Sequence, residues 1–215
     1  MQSTRFDTIG RRISTILSVV ILTLTLISAT TGILLSFYYQ PAAGGAYESL
    51  KIIDQQVTYG WLFHKAHNIA GNAVIIIALI QIVVMFLSRQ FRKSWLTAWI
   101  SGILFTLSAI GLDWTAMSLK WDQLGYWRFS IELGTIEAIP FIGHQLRDIL
   151  TGGGAISTVT IEHLYTIHSY IVSLAAILLA VVHLGGVLWQ EKETHQETPN
   201  SELGNLPQQP IVNSQ

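Results

Sequence analysis

Residues 60–88 read GWLFHKAHNIAGNAVIIIALIQIVVMFLS, and this stretch decides the fold. No Asp, Glu, Lys or Arg occurs from Ala66 to Ser88. Since about 20 consecutive apolar residues cross a bilayer, the stretch predicts a transmembrane helix. Two polar residues within it, His67 and Gln81, are 14 positions apart. On a helix they lie on nearly the same face, about 21 Å from one another along the axis.

The rest of the chain has the same membrane character. Of its 215 residues, 50% are apolar and only 12% are charged, against about a quarter in an ordinary soluble domain. Three further runs contain no Asp, Glu, Lys or Arg, namely 13–47, 94–112 and 163–190. We therefore predict an all-α fold, an integral membrane bundle of four transmembrane helices over about 13–38, 60–88, 95–118 and 161–190.

The basic residues predict the orientation of the bundle. They cluster before the first span and between the second and third spans, as Arg5, Arg11 and Arg12 and as Arg89, Arg92 and Lys93. Short loops rich in Lys and Arg stay on the cytoplasmic side, so four spans place both termini on the cytoplasmic or stromal side. The first run is longer than the apolar core of a signal peptide and lacks a clear cleavage site, which favours a mature helix.

The remaining segments divide the chain into three parts. The connection between the third and fourth spans contains Trp121, Tyr126, Trp127 and Phe141, which predict short helices at the membrane surface. TGGGA at 151–155 predicts a flexible joint. The polar tail with three prolines predicts disorder. The parts are an N-terminal segment at 1–12, the bundle at 13–190 and the tail at 191–215.

A second polar pair lies on the fourth span. His168 and His183 are 15 positions apart, and therefore share a helical face about as closely as the first pair does. If the second and fourth spans face each other, His67 meets His168 at one level, toward the outer, positive side. Gln81 meets His183 at the other level. Two imidazoles can ligate the iron of a b-type haem, whereas the second level offers one.

The composition also excludes several classes of site. A net charge of −1 without a basic stripe gives no indication of nucleic-acid binding. The absence of cysteine excludes disulfides, thiolate metal sites and thioether attachment of haem through this chain. Any haem is therefore held noncovalently.

Five motifs occur in an order and at spacings typical of one family: FYYQP at 37–41, GWLFHKAHNIAGN at 60–72, SLKWDQLGYW at 118–127, IEAIPFIG at 136–143 and LYTIHSY at 164–170. Over roughly residues 11–190 the chain resembles the cytochrome b/b6 family. The resemblance implies a four-helix bundle with two stacked b haems, in a complex that oxidises quinol of the plastoquinol or ubiquinol type. It implies membrane lipid, subunit IV-like, Rieske and c-type cytochrome partners, in a thylakoid or plasma membrane.

The resemblance assigns the histidines to haem. His67 and His168 match the two ligands of the haem nearer the positive side. His183 matches one ligand of the second haem, but Gln81 stands where its partner histidine is expected. Glutamine has no imidazole nitrogen, so one haem b is predicted and the second conflicts with the sequence. Three arrangements stay open for His183: a five-coordinate haem, a water-ligated haem, or a hydrogen bond to Gln81.

Other positions also depart from the family pattern. Where the family has arginines that pair with haem propionates, this chain has His64, Asn68 and His163. These side chains donate hydrogen bonds without the charged fork of arginine. Of the glycines that let haem approach helices, two remain and two are replaced, as Gly32 and Gly102 and as Ser18 and Ala116.

The leading functional hypothesis is an electron-transfer subunit for quinol, with transmembrane or local transfer and no catalytic residue assigned in this chain. A divergent single-haem paralogue acting as a sensor, and a haem-poor scaffold that docks a partner, are the alternatives. An unrelated b-type cytochrome anchoring a dehydrogenase is a further one. Asp113 is either functional or paired with Lys65 or Lys120. The stretch WDQLGYW either lines a quinol site or anchors the loop in the headgroups.

Overall fold

The computed structural model describes residues 5–88 and 95–204, with side chains for 8–88 and 95–192. Within this part of the chain, four helical stretches are long and apolar enough to cross a membrane: Thr8–Ser36, Gly60–Leu87, Leu96–Leu119 and Thr158–Lys192. They agree with the four predicted spans to within a few residues. The all-α membrane bundle is therefore confirmed.

The structure contains eight α-helices within the described residues: α1 (Arg5–Ser36), α2 (Ala46–Gln55), α3 (Gly60–Leu87), α4 (Leu96–Leu119), α5 (Gln123–Glu137), α6 (Gly143–Thr151), α7 (Thr158–Thr166) and α8 (Ser173–Gly204). A π-helical segment, Ile167–Val172, joins α7 to α8 and completes the fourth span. In the bundle, α1 packs against α3 and α8, while α4 packs against α8 and α3.

Small side chains let the four spans approach closely at mid-height. Ile21, Val74 and Phe105 are buried there among four alanines, Ala78, Ala109, Ala176 and Ala180. Membrane helices associate through such close packing, since lipid is as apolar as the core. Many of the outward-facing residues are large and apolar, in agreement with a lipid-facing surface.

Short helices cover the end of the bundle at which the first and third connections lie. The predicted surface helices are present as α5 and α6, whereas α2 lies in a connection in which no helix is predicted from the sequence. Asp122 caps α5 by accepting a hydrogen bond from the Gly125 amide at 2.7 Å. Glu132 joins α5 to α4, since it accepts from Trp114 Nε1 at 2.6 Å. The glycine joint follows α6, where Gly152 has a φ of 70°.

A buried tyrosine fixes the first connection to α4. The Tyr39 hydroxyl donates to the Leu119 carbonyl at 2.7 Å, and its ring stacks on Tyr165. Burial, with a smaller contribution from Tyr165, raises the pKa of Tyr39 above its ordinary value. The phenol therefore stays a neutral donor, and the end layer is tied to the bundle.

The last helix continues past the predicted boundary of the bundle. The sequence predicts a disordered tail from Glu191, but α8 runs on to Gly204. The segment has few apolar residues and contains proline, but Glu, Lys and Gln are good helix formers that can extend an existing helix. The rest of the predicted tail, 205–215, lies outside the described residues, as do residues 1–4.

Candidate functional site

Two histidines face each other across the bundle near its covered end, and we call this height the first level. His67 is on α3, and its Nδ1 lies 2.8 Å from the Ser28 carbonyl of α1. A carbonyl only accepts, so Nδ1 carries the proton and donates it. The unprotonated Nε2 of His67 is therefore free to act as a ligand.

His168 is held in the same way by α4. Its Nδ1 lies 3.1 Å from the Leu112 carbonyl and 2.8 Å from the Thr115 hydroxyl. Because the carbonyl requires a donor, Nδ1 again carries the proton and Nε2 keeps its lone pair. Metal-binding histidines are commonly oriented by such a bond from the second ring nitrogen.

The π-helical segment explains why the two residue pairs lie at the same two heights, although their sequence spacings differ by one residue. A π turn holds one residue more than an α turn, because its hydrogen bonds join residues five apart. The 15-residue spacing from His168 to His183 includes this segment. It therefore matches the 14-residue spacing from His67 to Gln81 on α3.

The first level fits a haem. The His67 and His168 ring centroids are 6.3 Å apart, with the ring planes at 65°. Two imidazoles that share one metal at N–metal distances of about 2 Å have centroids roughly 6 Å apart. A cavity of about 580 Å³ adjoins both rings, within the range of roughly 300–1,000 Å³ for small-molecule and cofactor sites. Gly32 contributes to the fit, since a Cβ there would lie 3.0 Å from the His67 ring.

Polar side chains line part of this cavity. His64, Asn68, Asp113 and Lys120 all contribute to it. His64 also lies 2.8 Å from a carboxylate oxygen of Asp54 on α2. Within the described residues neither Lys65 nor Lys120 forms an ion pair with Asp113, so the pairing considered from the sequence is not present.

His163 lies away from the first-level cavity, although it stands where the family resemblance implies a propionate contact. Its ring bonds the Ile149 carbonyl at 2.8 Å and packs near Gly152 of the glycine joint. It does not line the first-level cavity. Lys120, predicted from the sequence only as a candidate partner of Asp113, does line it. Its place directly before the WDQLGYW motif and after a span is the signal that could have identified it.

The second level, about 20 Å away along the bundle, is built differently. Gln81 and His183 are both buried, each 2% exposed, and their side-chain nitrogens lie 2.6 Å apart. The cavity beside them has about 10 Å³. Gly102 touches the His183 ring, since a Cβ there would lie 2.8 Å from it. A haem does not fit the second level as the side chains are arranged.

Comparisons with known proteins agree with the architecture. The family description "Cytochrome b/b6/petB" matches residues 9–190. Cytochrome b6 of Mastigocladus laminosus is 31% identical over 162 residues, which cover 75% of each chain. Cytochrome b6 of Auxenochlorella protothecoides is 30% identical over 158 residues, 74% of each chain.

A solved structure shares the fold. A chain of a hyperthermophilic respiratory Complex III superimposes with a TM-score of 0.70 at 24% identity, over 82% of this chain and 47% of that one. This chain thus spans about half the length of that structural relative. The family match covers all four spans and both levels. The chain belongs to the cytochrome b/b6 family, whose members are integral membrane cytochromes of electron transport with b-type haem.

Proposed function

We propose that this chain is the b-type cytochrome subunit of a quinol-oxidising complex, and that it accepts electrons through a haem held by His67 and His168. One observation carries the proposal. Two imidazoles face one another across a cavity of about 580 Å³, and each is held by a carbonyl of a neighbouring helix in the tautomer that ligates metal.

The protein's part in this function is to fix the two ligands in advance. The Ser28 carbonyl orients His67, and the Leu112 carbonyl orients His168. Bound between the rings, the haem supplies a reversible one-electron iron couple. Because α1 and α4 already hold the rings, little side-chain freedom is lost when the group binds.

We assign the propionate groups of the haem to the polar part of the cavity. Lys120 is the one Lys or Arg among the described lining residues, and it supplies a positive charge there. Asn68 can donate hydrogen bonds there, whereas His64 lies with its Nδ1 2.8 Å from Asp54, which accepts its hydrogen bond. Lys120 and Asn68 take over the role for which the family resemblance implies arginines.

The proposal includes the orientation of the chain in the membrane and its partners. The loop charges favour both termini on the cytoplasmic or stromal side of a thylakoid or plasma membrane. The first level then lies near the opposite, positive side. Quinol, a Rieske protein, a c-type cytochrome and a subunit carrying further helices are the partners that this family membership suggests.

Haem content of the purified protein tests the function. Wild-type protein is expected to give a reducible haem spectrum and a pyridine haemochrome, and His67→Ala and His168→Ala to lose that haem. His144→Ala is the matched control, because His144 is exposed on α6 and does not line the cavity. Haem-free wild-type protein from haem-supplied cells, or unchanged haem in His67→Ala, contradicts the proposal and favours a scaffold.

A further inference from the structure

We infer that a hydrogen-bonded plug formed by Ser18, Gln81 and His183 closes the second level, so that the chain carries only the first-level haem. The inference rests on the proposed function for the first haem. It concerns a site that the family resemblance assigns to a second haem.

The nitrogen of His183 that would ligate iron is already bonded. His183 Nδ1 lies 2.9 Å from the Ala98 carbonyl and therefore carries the proton. Nε2 is then an acceptor, and the Gln81 amide nitrogen donates to it at 2.6 Å. An iron ligand needs this same lone pair, so the bond to Gln81 and coordination exclude each other.

Gln81 is fixed from its other side by Ser18. The Gln81 amide nitrogen lies 2.6 Å from the Ser18 hydroxyl, which in turn donates to the Ser14 carbonyl at 2.9 Å. The amide nitrogen has two hydrogens; its two short contacts are to Ser18 and His183, and a longer one of 3.3 Å reaches the Ser14 carbonyl. Ser18 and Gln81 are two separate departures from the family pattern, and in the structure they bond to each other.

The two levels differ in space although the same four spans form both. The first-level cavity has about 580 Å³, whereas the second has about 10 Å³, at most the room of one water molecule. Gln81 and His183 line the second cavity together with apolar side chains such as Trp99 and Met85. Ser18, which bonds to Gln81, is completely buried.

Turning Gln81 to present its oxygen to iron would be unfavourable. The Gln81 side-chain oxygen is buried and has no hydrogen-bond partner, whereas the amide nitrogen contacts both Ser18 and His183. A reversed amide would break both bonds and leave the Ser18 hydroxyl without its buried donor. An amide oxygen is also a poor replacement for imidazole on haem iron.

The plug determines where electrons can leave the protein. Without a carrier at the second level, an electron that enters the first-level haem has to leave from the same end of the bundle. The electron is therefore consumed by the one-electron reduction of an acceptor at the end covered by α2 and α5, which reoxidises the haem.

Haem counting with restored ligands tests the plug. Per mole of protein, we expect about one haem in wild type and in His183→Ala, and a second haem in the Ser18→Gly/Gln81→His double variant. Gln55→His, on the exposed end of α2, is the matched control and keeps one haem. Three results would contradict the plug. They are two haems in the wild type, loss of one haem in His183→Ala, and a folded double variant that still holds only one haem.

A second measurement does not depend on haem. Gln81→Leu and His183→Leu are each expected to lower the Tm, and the double variant to lower it by no more than the larger single effect, because both remove the same bond. Additive shifts contradict the plug. Haem-free wild-type protein contradicts the proposed function. The plug is then tested by whether the two Tm effects are non-additive, so failure of one proposal can be distinguished from failure of the other.

Discussion

Lys120 shows how one residue can tune the proposed haem site. It is the one Lys or Arg lining the first-level cavity in the part of the chain that the structure describes, and it has no ion-pair partner there. Lys120→Gln is expected to weaken haem binding about two- to fivefold, the size of one partly exposed charge pair, and to lower the midpoint potential, because a positive charge favours the more negative, reduced haem. Haem titration and redox titration measure both effects.

Lys65→Gln is the matched control for Lys120→Gln. Lys65 is exposed on α3 beside His64 and does not line the cavity. Salt screens surface charges at this distance, so its loss is expected to leave the affinity within about a factor of two and the midpoint potential near that of wild type. Equal effects of the two substitutions would show that general surface charge, and no contact with a propionate, sets the potential.

Among the elements, the π-helical segment makes the sharpest prediction. Its extra residue is accommodated by one wide turn, so deletion of the exposed Ile171 should give a regular α-helix with the same register. Haem content and Tm are expected to stay near wild type. Insertion of an alanine after Ile171 should instead turn α8 by about 100° and lose haem.

The control for this pair is an alanine inserted after Gly154, in the joint before α7. Nothing lies within 4 Å of a Cβ at Gly154, so the joint can absorb a residue without turning the fourth span. Haem is expected to be retained. If deletion of Ile171 removes haem as completely as the insertion does, the π turn is itself required, and the register argument is wrong.

The elements also show what the sequence could predict. The four spans were predictable because lipid contact requires long apolar runs, and the two levels because paired polar residues repeat with the helical period. The segment IHSYIV at 167–172 reads as ordinary helix, and its π turn arises from packing that a single sequence does not encode locally. The Ser28 and Leu112 carbonyls were missed because main-chain atoms leave no residue signature. The Gln81–His183 bond was one of three open arrangements, and geometry was needed to favour it.

In the whole molecule, the proposed electron path has a carrier at the first level and none at the second. About 20 Å of bundle separates the first level from the second, and the plug leaves that distance without a carrier. In sealed vesicles containing the wild-type protein, an external impermeant reductant such as dithionite is expected to reduce the haem in molecules whose first level faces outward. It should not reduce trapped ferricyanide faster than in protein-free vesicles. Absorbance of the trapped acceptor measures the rate.

The Ser18→Gly/Gln81→His variant gives this experiment its matched comparison. Once it holds a second haem, electrons gain a carrier at the second level, and reduction of trapped ferricyanide should rise well above the wild-type rate. Detergent, which opens the vesicles, should make the rates equal and so exclude a difference in protein amount. Fast reduction of the trapped acceptor by wild-type protein in intact vesicles would mean that electrons cross the bundle without a second haem. The inference that electrons leave only from the first level would then be wrong, even if the protein holds one haem.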